Sequence, residues 1–283
     1  MPELPEVERV CQGLRAAMVG RTVRAVRIRR RDYITGPMDP PGRRSTRASR
    51  LVARDLLAGG AIAAIERRGK QMAIRAEDGR VVALHLGMSG EVMVLPKGRI
   101  EAHTDHVHLE WRLDEAQVWV RDPRRFGAVW AGLDRTALAD RWSLLGPDAL
   151  TLRARALLGM ARGRQRAIKA VLLDQRLLAG VGNIYADEAL FRAGIRPDRP
   201  AATLDVEDCD RLARAIREIL RAAIRAGGST IRDYRGPDGG AGEAQLKHRV
   251  YGRAGQPCVT CDTPLKGVQV AQRTTVRCPN CQS

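Results

Sequence analysis

No stretch of this 283-residue chain is apolar over the about 20 residues that a membrane-spanning helix needs. The first residues also lack a basic segment followed by an apolar one, so no secretory leader is expected. Lysine is scarce: Lys70, Lys97, Lys169, Lys247 and Lys266 are the only five among 49 basic residues, the rest being arginine. Cysteine is scarce outside one cluster, and Cys11 and Cys209 stand alone in segments of apolar periodicity, as buried inert thiols do. These absences exclude a disulfide-stapled secreted domain and a membrane-embedded protein, and leave a soluble, cytoplasmic one. The length allows two domains, each with its own core.

What is present in excess is positive charge. The 49 Lys and Arg against 32 Asp and Glu leave a formal net charge of +17. Codon bias towards arginine can replace lysine but need not unbalance the acids. The excess suits a polyanionic partner, with nucleic acid ahead of an acidic protein or an anionic membrane surface.

The chain begins Met1-Pro2-Glu3-Leu4-Pro5-Glu6. With Met1 removed, Pro2 presents a secondary α-amine, and an α-amine titrates near ~8, so a useful fraction is an unprotonated nucleophile at neutral pH. Glu3 beside it can give or take a proton. On these residues alone a stiff tail before a helix is the readier reading, with the nucleophile as its alternative. Val7, Val10, Cys11, Leu14, Ala17 and Met18 then recur at helical spacing, predicting one amphipathic helix that ends near Gly20.

Residues 21–30 read as a strand, and 36–50, rich in Pro, Gly, Ser and Arg, as a loop. Short strand-like runs follow at Ala61–Glu66, Gln71–Arg75, Val81–Leu86, Val107–Trp111, Val118–Arg121 and Gly127–Trp130, separated by turn signals, which predicts an antiparallel sandwich or barrel. Helical periodicity dominates from about 135 to 226, clearest from an N-cap at Asp205 to a stop at Gly227-Gly228. A boundary is expected within 131–150. Residues 235–243 are so rich in glycine that they are expected to form a mobile loop.

Cys258-x2-Cys261-x16-Cys278-x2-Cys281 is the strongest isolated signal. Two such knuckles close a tetrahedral zinc site with every position filled by protein, hence one structural Zn²⁺. Leu177-Leu178-Ala179-Gly180-Val181-Gly182-Asn183 joins two helical patterns, and the N–H groups at the second helix start, with the Asn183 amide, could hold a phosphate; glycine for turn geometry alone is the other reading. Lys70 sits at a strand start in a basic cluster that would lower its pKa for proton transfer; taken by itself, a solvated turn lysine is the readier reading. Met88, Arg124 and Phe126 fall on turn-like segments, where they could wedge into a base stack, or else serve as core packing and a solvated loop charge.

Taken together, MPELPEVE, RRGK, HLGMSG, DPRRFG, GVGNIYADE, VYGR and the paired cysteines resemble, in order over nearly the whole chain, the formamidopyrimidine-DNA glycosylase family. The resemblance implies an α+β fold: an N-terminal helix with a β-sandwich catalytic domain (1–135), a helical domain with a helix-two-turn-helix and lid loop (136–249), and a hairpin zinc finger (250–283). It implies a monomeric repair enzyme for damaged double-stranded DNA, a bifunctional glycosylase and AP lyase that excises oxidised purines and nicks the strand by β,δ-elimination. By position, Pro2 is then the Schiff-base nucleophile, Glu3 its acid/base partner, Lys70 the β-elimination lysine, and Arg273 the phosphate-gripping arginine linked to δ-elimination. Met88, Arg124 and Phe126 fill the gap left by the flipped nucleotide, while His103, Arg164, Asn183 and Tyr251 contact DNA. Departures are a longer basic loop at 36–50, a segment 243–249 with histidine as its only ring, and a His103-Thr104-Asp105-His106 stretch offset by one residue. The rival readings are an endonuclease VIII-like glycosylase for oxidised pyrimidines, and a non-catalytic zinc-ribbon DNA-binding protein with no need of a free Pro2.

Overall fold

The computed structural model describes residues 2–36, 52–98, 104–231 and 234–283; His103 and nearly all of the expected 36–50 loop lie outside them. Helix α1 (Leu4–Met18) begins with Pro5 in its first turn, where a missing N–H costs nothing, and ends with Arg15 in its last turn. Its Leu4, Val7, Val10, Cys11, Leu14 and Met18 are buried, as their spacing predicts.

Among the described residues nine strands follow: β1 (Ala25–Ile28), β2 (Ile34–Thr35), β3 (Ile62–Arg68), β4 (Gln71–Ala76), β5 (Val81–His85), β6 (Glu91–Pro96), β7 (Val107–Arg112), β8 (Ala116–Arg121) and β9 (Ala128–Leu133). They form two sheets ordered β1-β7-β8-β6 and β2-β9-β5-β4-β3. The sandwich is therefore found. Its pairings are antiparallel except one: β2 runs parallel to β9, a register that alternation in the sequence does not reveal. One apolar core joins Val10 and Leu14 of α1 to Leu109, Trp111 and Val120 of the first sheet and Ile65, Ile74 and Leu84 of the second. Helix α2 (Arg135–Ser143) covers the second sheet's outer face, placing Leu138 against Ala83 and Trp130, with the Arg141 guanidinium 3.4 Å from the Trp130 ring centre.

The rest of the chain is helical up to a final hairpin. Helices α3 (Ala154–Ala161), α4 (Ile168–Leu173), α5 (Asn183–Ala193) and α6 (Val206–Arg225) are followed by β10 (Lys266–Val270) and β11 (Arg273–Arg277). Asp205 caps α6 as expected, accepting from the Asp208 N–H at 2.7 Å, and Gly227 and Gly228 stop it with φ of 75° and 82°.

The described chain divides into two compact units, Met1–Leu144 with Gly227–Gly242, and Leu145–Ala226 with Glu243–Ser283. The expected boundaries at 135 and 249 did not include this return of 227–242 to the N-terminal unit. Nor is 235–243 loosely held, as its glycines suggested. Pro237 packs so close to Gly13 that a β-carbon there would lie 2.3 Å from its Cγ. The Pro237 carbonyl accepts from the Val94 N–H at 2.7 Å, and Asp238 pairs with Arg9 at 2.9 Å. Three contacts with α1 and β6 outweigh the freedom of the glycines.

Candidate active site

In the first unit the second sheet gathers the expected residues by topology. Lys70 precedes β4, Met88 follows β5, and Arg124 and Phe126 precede β9; because β4 and β9 both run antiparallel to β5, these three strand ends lie at one end of the sheet, with Gln71 opposite His85 and His85 opposite Ala128. Lys70 is buried, in a turn whose Gly69 has φ 57°. That hairpin is tied to α1 through Glu8, whose carboxylate accepts from Arg67 Nε at 2.7 Å and Arg15 at 2.8 Å. Met88 and Phe126 are instead 41% and 47% exposed, which sets aside the core-packing reading. The Arg124 guanidinium sits 4.7 Å from the Phe126 ring centre.

A residue with no expected role holds these loops together. Asp122 is fully buried; its Oδ1 accepts from Ser89 Oγ at 2.6 Å, and its Oδ2 from the Gly127 N–H at 2.8 Å and the Tyr33 hydroxyl at 3.2 Å. Its backbone oxygen accepts from His108 Nε2 at 2.9 Å. Burial and then the Asp122 charge push the Tyr33 phenol well above its usual pKa, so it stays a donor. The two loops also touch directly: a β-carbon on Gly87, at φ 61°, would lie 2.3 Å from the Phe126 carbonyl carbon. Beside Lys70, burial and then the lysine's charge push His85 down to about 4, keeping its ring neutral.

At the start of α1, Pro2 and Glu3 are buried, and Glu3 occupies the N-cap position. The Glu3 N–H donates to Glu6 Oε2 at 2.8 Å, while Glu6 Oε1 accepts from the Ser229 N–H at 2.7 Å. The Tyr234 hydroxyl donates to the Glu6 carbonyl at 3.2 Å. Glu6 thus ties Glu3, the neighbour of Pro2, to a segment 223 positions downstream. Motif reading singled out Ser89 and Asp122 only as letters in HLGMSG and DPRRFG; the three-residue spacing from Glu3 to Glu6 is the local signature of a helix-capping box, and nothing local signals Tyr33 or His108 as anchors.

The second unit holds the other group. Gln175 closes the turn before α5, donating to the Val181 carbonyl at 2.9 Å and accepting from the Gly180 N–H at 2.9 Å. Asn183 opens α5, but its amide donates to the Thr274 carbonyl at 3.0 Å, so it also braces the hairpin. Arg164 caps α3, donating to the Met160 carbonyl at 2.9 Å. The Tyr251 N–H donates to Glu188 at 2.8 Å. Arg273 is exposed just after a two-residue turn in which Ala271 and Gln272 have φ of 51° and 57°. Beneath it, buried Lys169 reaches Asp187 and Thr275, each at 2.5 Å, and Asp187 accepts from the Val276 N–H at 3.1 Å.

The four cysteines of the expected cluster bring their sulfurs within 4.8 Å of one another. A tetrahedron with Zn–S of about 2.3 Å needs sulfurs about 3.8 Å apart. The Cys258–Cys281, Cys261–Cys278 and Cys261–Cys281 separations are 3.9, 3.5 and 3.3 Å, at or slightly inside that spacing, and backbone N–H groups of Thr260 and Cys281 point at Cys258 and Cys278 as in knuckles. The cluster is the site of one structural zinc, and Cys11 and Cys209 are buried free thiols, as expected.

A helix packed on a two-sheet sandwich, a helix-two-turn-helix domain and a four-cysteine finger place the chain among the DNA glycosylases of base-excision repair. Family models match in the same order: the formamidopyrimidine-DNA glycosylase N-terminal domain over 1–129, its H2TH domain over 145–235, and the zinc finger found in FPG and IleRS over 255–283. The chain belongs to the formamidopyrimidine-DNA glycosylase family. It is 42% identical to the enzyme of that name from Cupriavidus pinatubonensis and 43% identical to that from Paraburkholderia phymatum, in each case over 100% of both chains. Among solved structures it is similar to the MutM (Fpg) protein of Thermus thermophilus, with a TM-score of 0.83, 39% identity and coverage of 99% and 98% of the two chains. It is also similar to Lactococcus lactis Fpg in complex with abasic-site DNA, with a TM-score of 0.86, 29% identity and full coverage of both.

Proposed function

We propose that the protein acts as a cytoplasmic monomer on damaged double-stranded DNA, excising oxidised purines such as 8-oxoguanine and formamidopyrimidines and then nicking the abasic strand. The observation that carries this reading is the one-ended sheet: a buried lysine and an exposed Met–Arg–Phe set occupy the same end, in a unit whose chain start is Pro2-Glu3. The L. lactis structures with Fapy-dG and abasic-site DNA support the substrate class. Residues 1–135 would then be the catalytic domain, 136–249 the helical DNA-binding domain and 250–283 the finger.

With Met1 removed, the Pro2 nitrogen attacks the deoxyribose C1′ and the base departs with a proton. Glu3 protonates O4′ as the C1′–O4′ bond opens, leaving a positively charged iminium. That charge draws electrons from C2′–H, and loss of this proton expels the 3′ phosphate, with Lys70 as proton carrier and phosphate contact. Loss of the C4′ proton then expels the 5′ phosphate, whose charge Arg273 offsets. Water finally frees Pro2. Met88 and Phe126 fill the hole left by the flipped nucleotide, Arg124 faces the orphaned base, and Arg164, Asn183, Tyr251 and His103 contact the strand. Phosphate contacts make the affinity salt-dependent and indifferent to sequence.

Borohydride with duplex DNA carrying 8-oxoguanine opposite cytosine traps a covalent adduct from Met1-processed protein, and a Pro2→Thr variant gives none. No adduct from the processed protein would defeat the amine mechanism. Single-turnover release of 8-oxoguanine is expected to outrun that of 5-hydroxycytosine; the opposite order would favour the pyrimidine-directed rival.

A further inference from the structure

In the second unit a cavity of about 550 Å³ opens between α5, the last turns of α6 and residues 244–249. Four small side chains, Ala222, Ala223, Ala226 and Ala244, leave it hollow. Leu246 and Val259 stand on its walls, 78% and 53% exposed, so two large apolar side chains meet water at one opening.

The charge around the cavity has one sign once existing pairs are removed. Glu188 lines it, but its carboxylate is taken up by the N–H groups of Arg249, Val250 and Tyr251 at 2.8 to 3.0 Å. Arg192 is paired with Glu218. Lys247 and Arg249 are exposed and, among the described residues, neither side chain has an ion-pair partner. A phosphate backbone is a poor match: the N–H donors nearest the hollow are already engaged by Glu188, and phosphates would be pressed against Leu246 and Val259. An acidic peptide satisfies both halves of the site.

We propose that this cavity docks an acidic segment of a partner protein, one aromatic or branched aliphatic side chain entering the alanine-lined hollow while neighbouring carboxylates meet Lys247 and Arg249. The apolar anchor supplies specificity, and the two cations steer the encounter. The surface lies outside the groups assigned to excision, so docking would recruit the enzyme without altering its chemistry.

The test uses the full-length zinc-loaded protein and a fluorescein-labelled Asp-rich peptide ending in Phe, followed by fluorescence anisotropy at about 150 mM salt. The Phe peptide binds at least about tenfold tighter than its counterpart ending in Ala. Ala244→Phe, which fills the hollow, removes that advantage while leaving 8-oxoguanine release unchanged; Ala222→Leu does the same from the α6 side. Lys247→Glu with Arg249→Glu weakens both peptides about tenfold. Equal affinity for the two peptides would reduce the effect to attraction by the +17 net charge and overturn the proposal. Persistence of the Phe advantage in both filled variants would also overturn it, as would competition by undamaged duplex DNA, which would make the cavity a nucleic-acid surface.

Discussion

Each unit sets its working group over a buried carboxylate, and the two carboxylates are satisfied by different means. Glu6, next to Glu3 at the start of α1, accepts from two backbone N–H groups, those of Glu3 and Ser229. Asp187, beneath the hairpin that carries Arg273, faces the Lys169 ammonium at 2.5 Å and one N–H, that of Val276. Backbone donors are fixed by chain geometry, so these two bonds are sensitive to backbone shape. An ion pair depends on its partner side chain, because a lone charge left in a dry site is costly. The first design would suit the nucleophile proposed at Pro2, whose position backbone geometry then sets; the second suits a hairpin held by a side-chain pair.

The largest effect should come from breaking the ion pair. Lys169→Met leaves Asp187 buried without its counter-charge and is expected to cost about 3–5 kcal/mol of second-unit stability, read by urea unfolding with the finger zinc bound. Zinc should also pass faster to a chelator, because the hairpin loses its anchor through Thr275. Adding Asp187→Leu should recover most of the loss, since an apolar pair of similar volume carries no desolvation penalty. A Lys169→Met protein within about 1 kcal/mol of the parent would mean that the pair is not what docks the hairpin.

Acid should separate the two regions. His85, pushed down to about 4 in the folded first unit, takes up its proton at a higher pH when unfolded, near its ordinary 6.5. Between those values the unfolded chain binds more protons, so this contribution is present above about 6.5 and is lost as pH falls through 4. The gap caps it at about 3 kcal/mol. Asp187 has the opposite sign. Burial raises its carboxyl to about 6 against the pull of Lys169, so its contribution grows as pH falls through 6 and is lost as pH rises through it. A His85→Gln variant should therefore show a flatter loss of first-unit stability from pH 6.5 to 4, followed by near-ultraviolet signals of its Trp111 and Trp130. An unchanged slope would move the acid sensitivity elsewhere.

The sequence made visible whatever rests on local chemistry. Helix α1, the Asp205 cap of α6, the Gly227-Gly228 stop and the cysteine knuckles are each written in neighbouring residues, and the motifs carried the family. Contacts between distant segments were not legible. Asp122 meets Tyr33 across 89 positions and Glu6 meets Ser229 across 223, and no periodicity encodes either. Strand β6 was absent from the expected runs, and β2 is two residues long and pairs in parallel, outside the alternation that marks antiparallel strands. Glycine content misled at 235–243, because Pro237 and Asp238 fasten a loop that composition alone calls loose.

The smallest and most discriminating effect concerns Gly228. At φ 82° it would strain any other residue, and a β-carbon there would lie 2.9 Å from Glu6 Oε1. Gly239 supplies the control, with φ 81° and nothing within 4 Å of its added β-carbon. Alanine at either position costs about 1–2 kcal/mol for the left-handed backbone. Only Gly228→Ala also displaces Glu6 from the Ser229 N–H, a further cost of about 0.5–1.5 kcal/mol. If Glu6 positions the chain start, Gly228→Ala should lower the single-turnover yield of borohydride-trapped adduct about fivefold relative to Gly239→Ala, while the two bind undamaged duplex equally. Equal trapping by the two variants would show that backbone donors around Glu6 serve stability alone, and the contrast between the two buried carboxylates would then be one of construction and not of function.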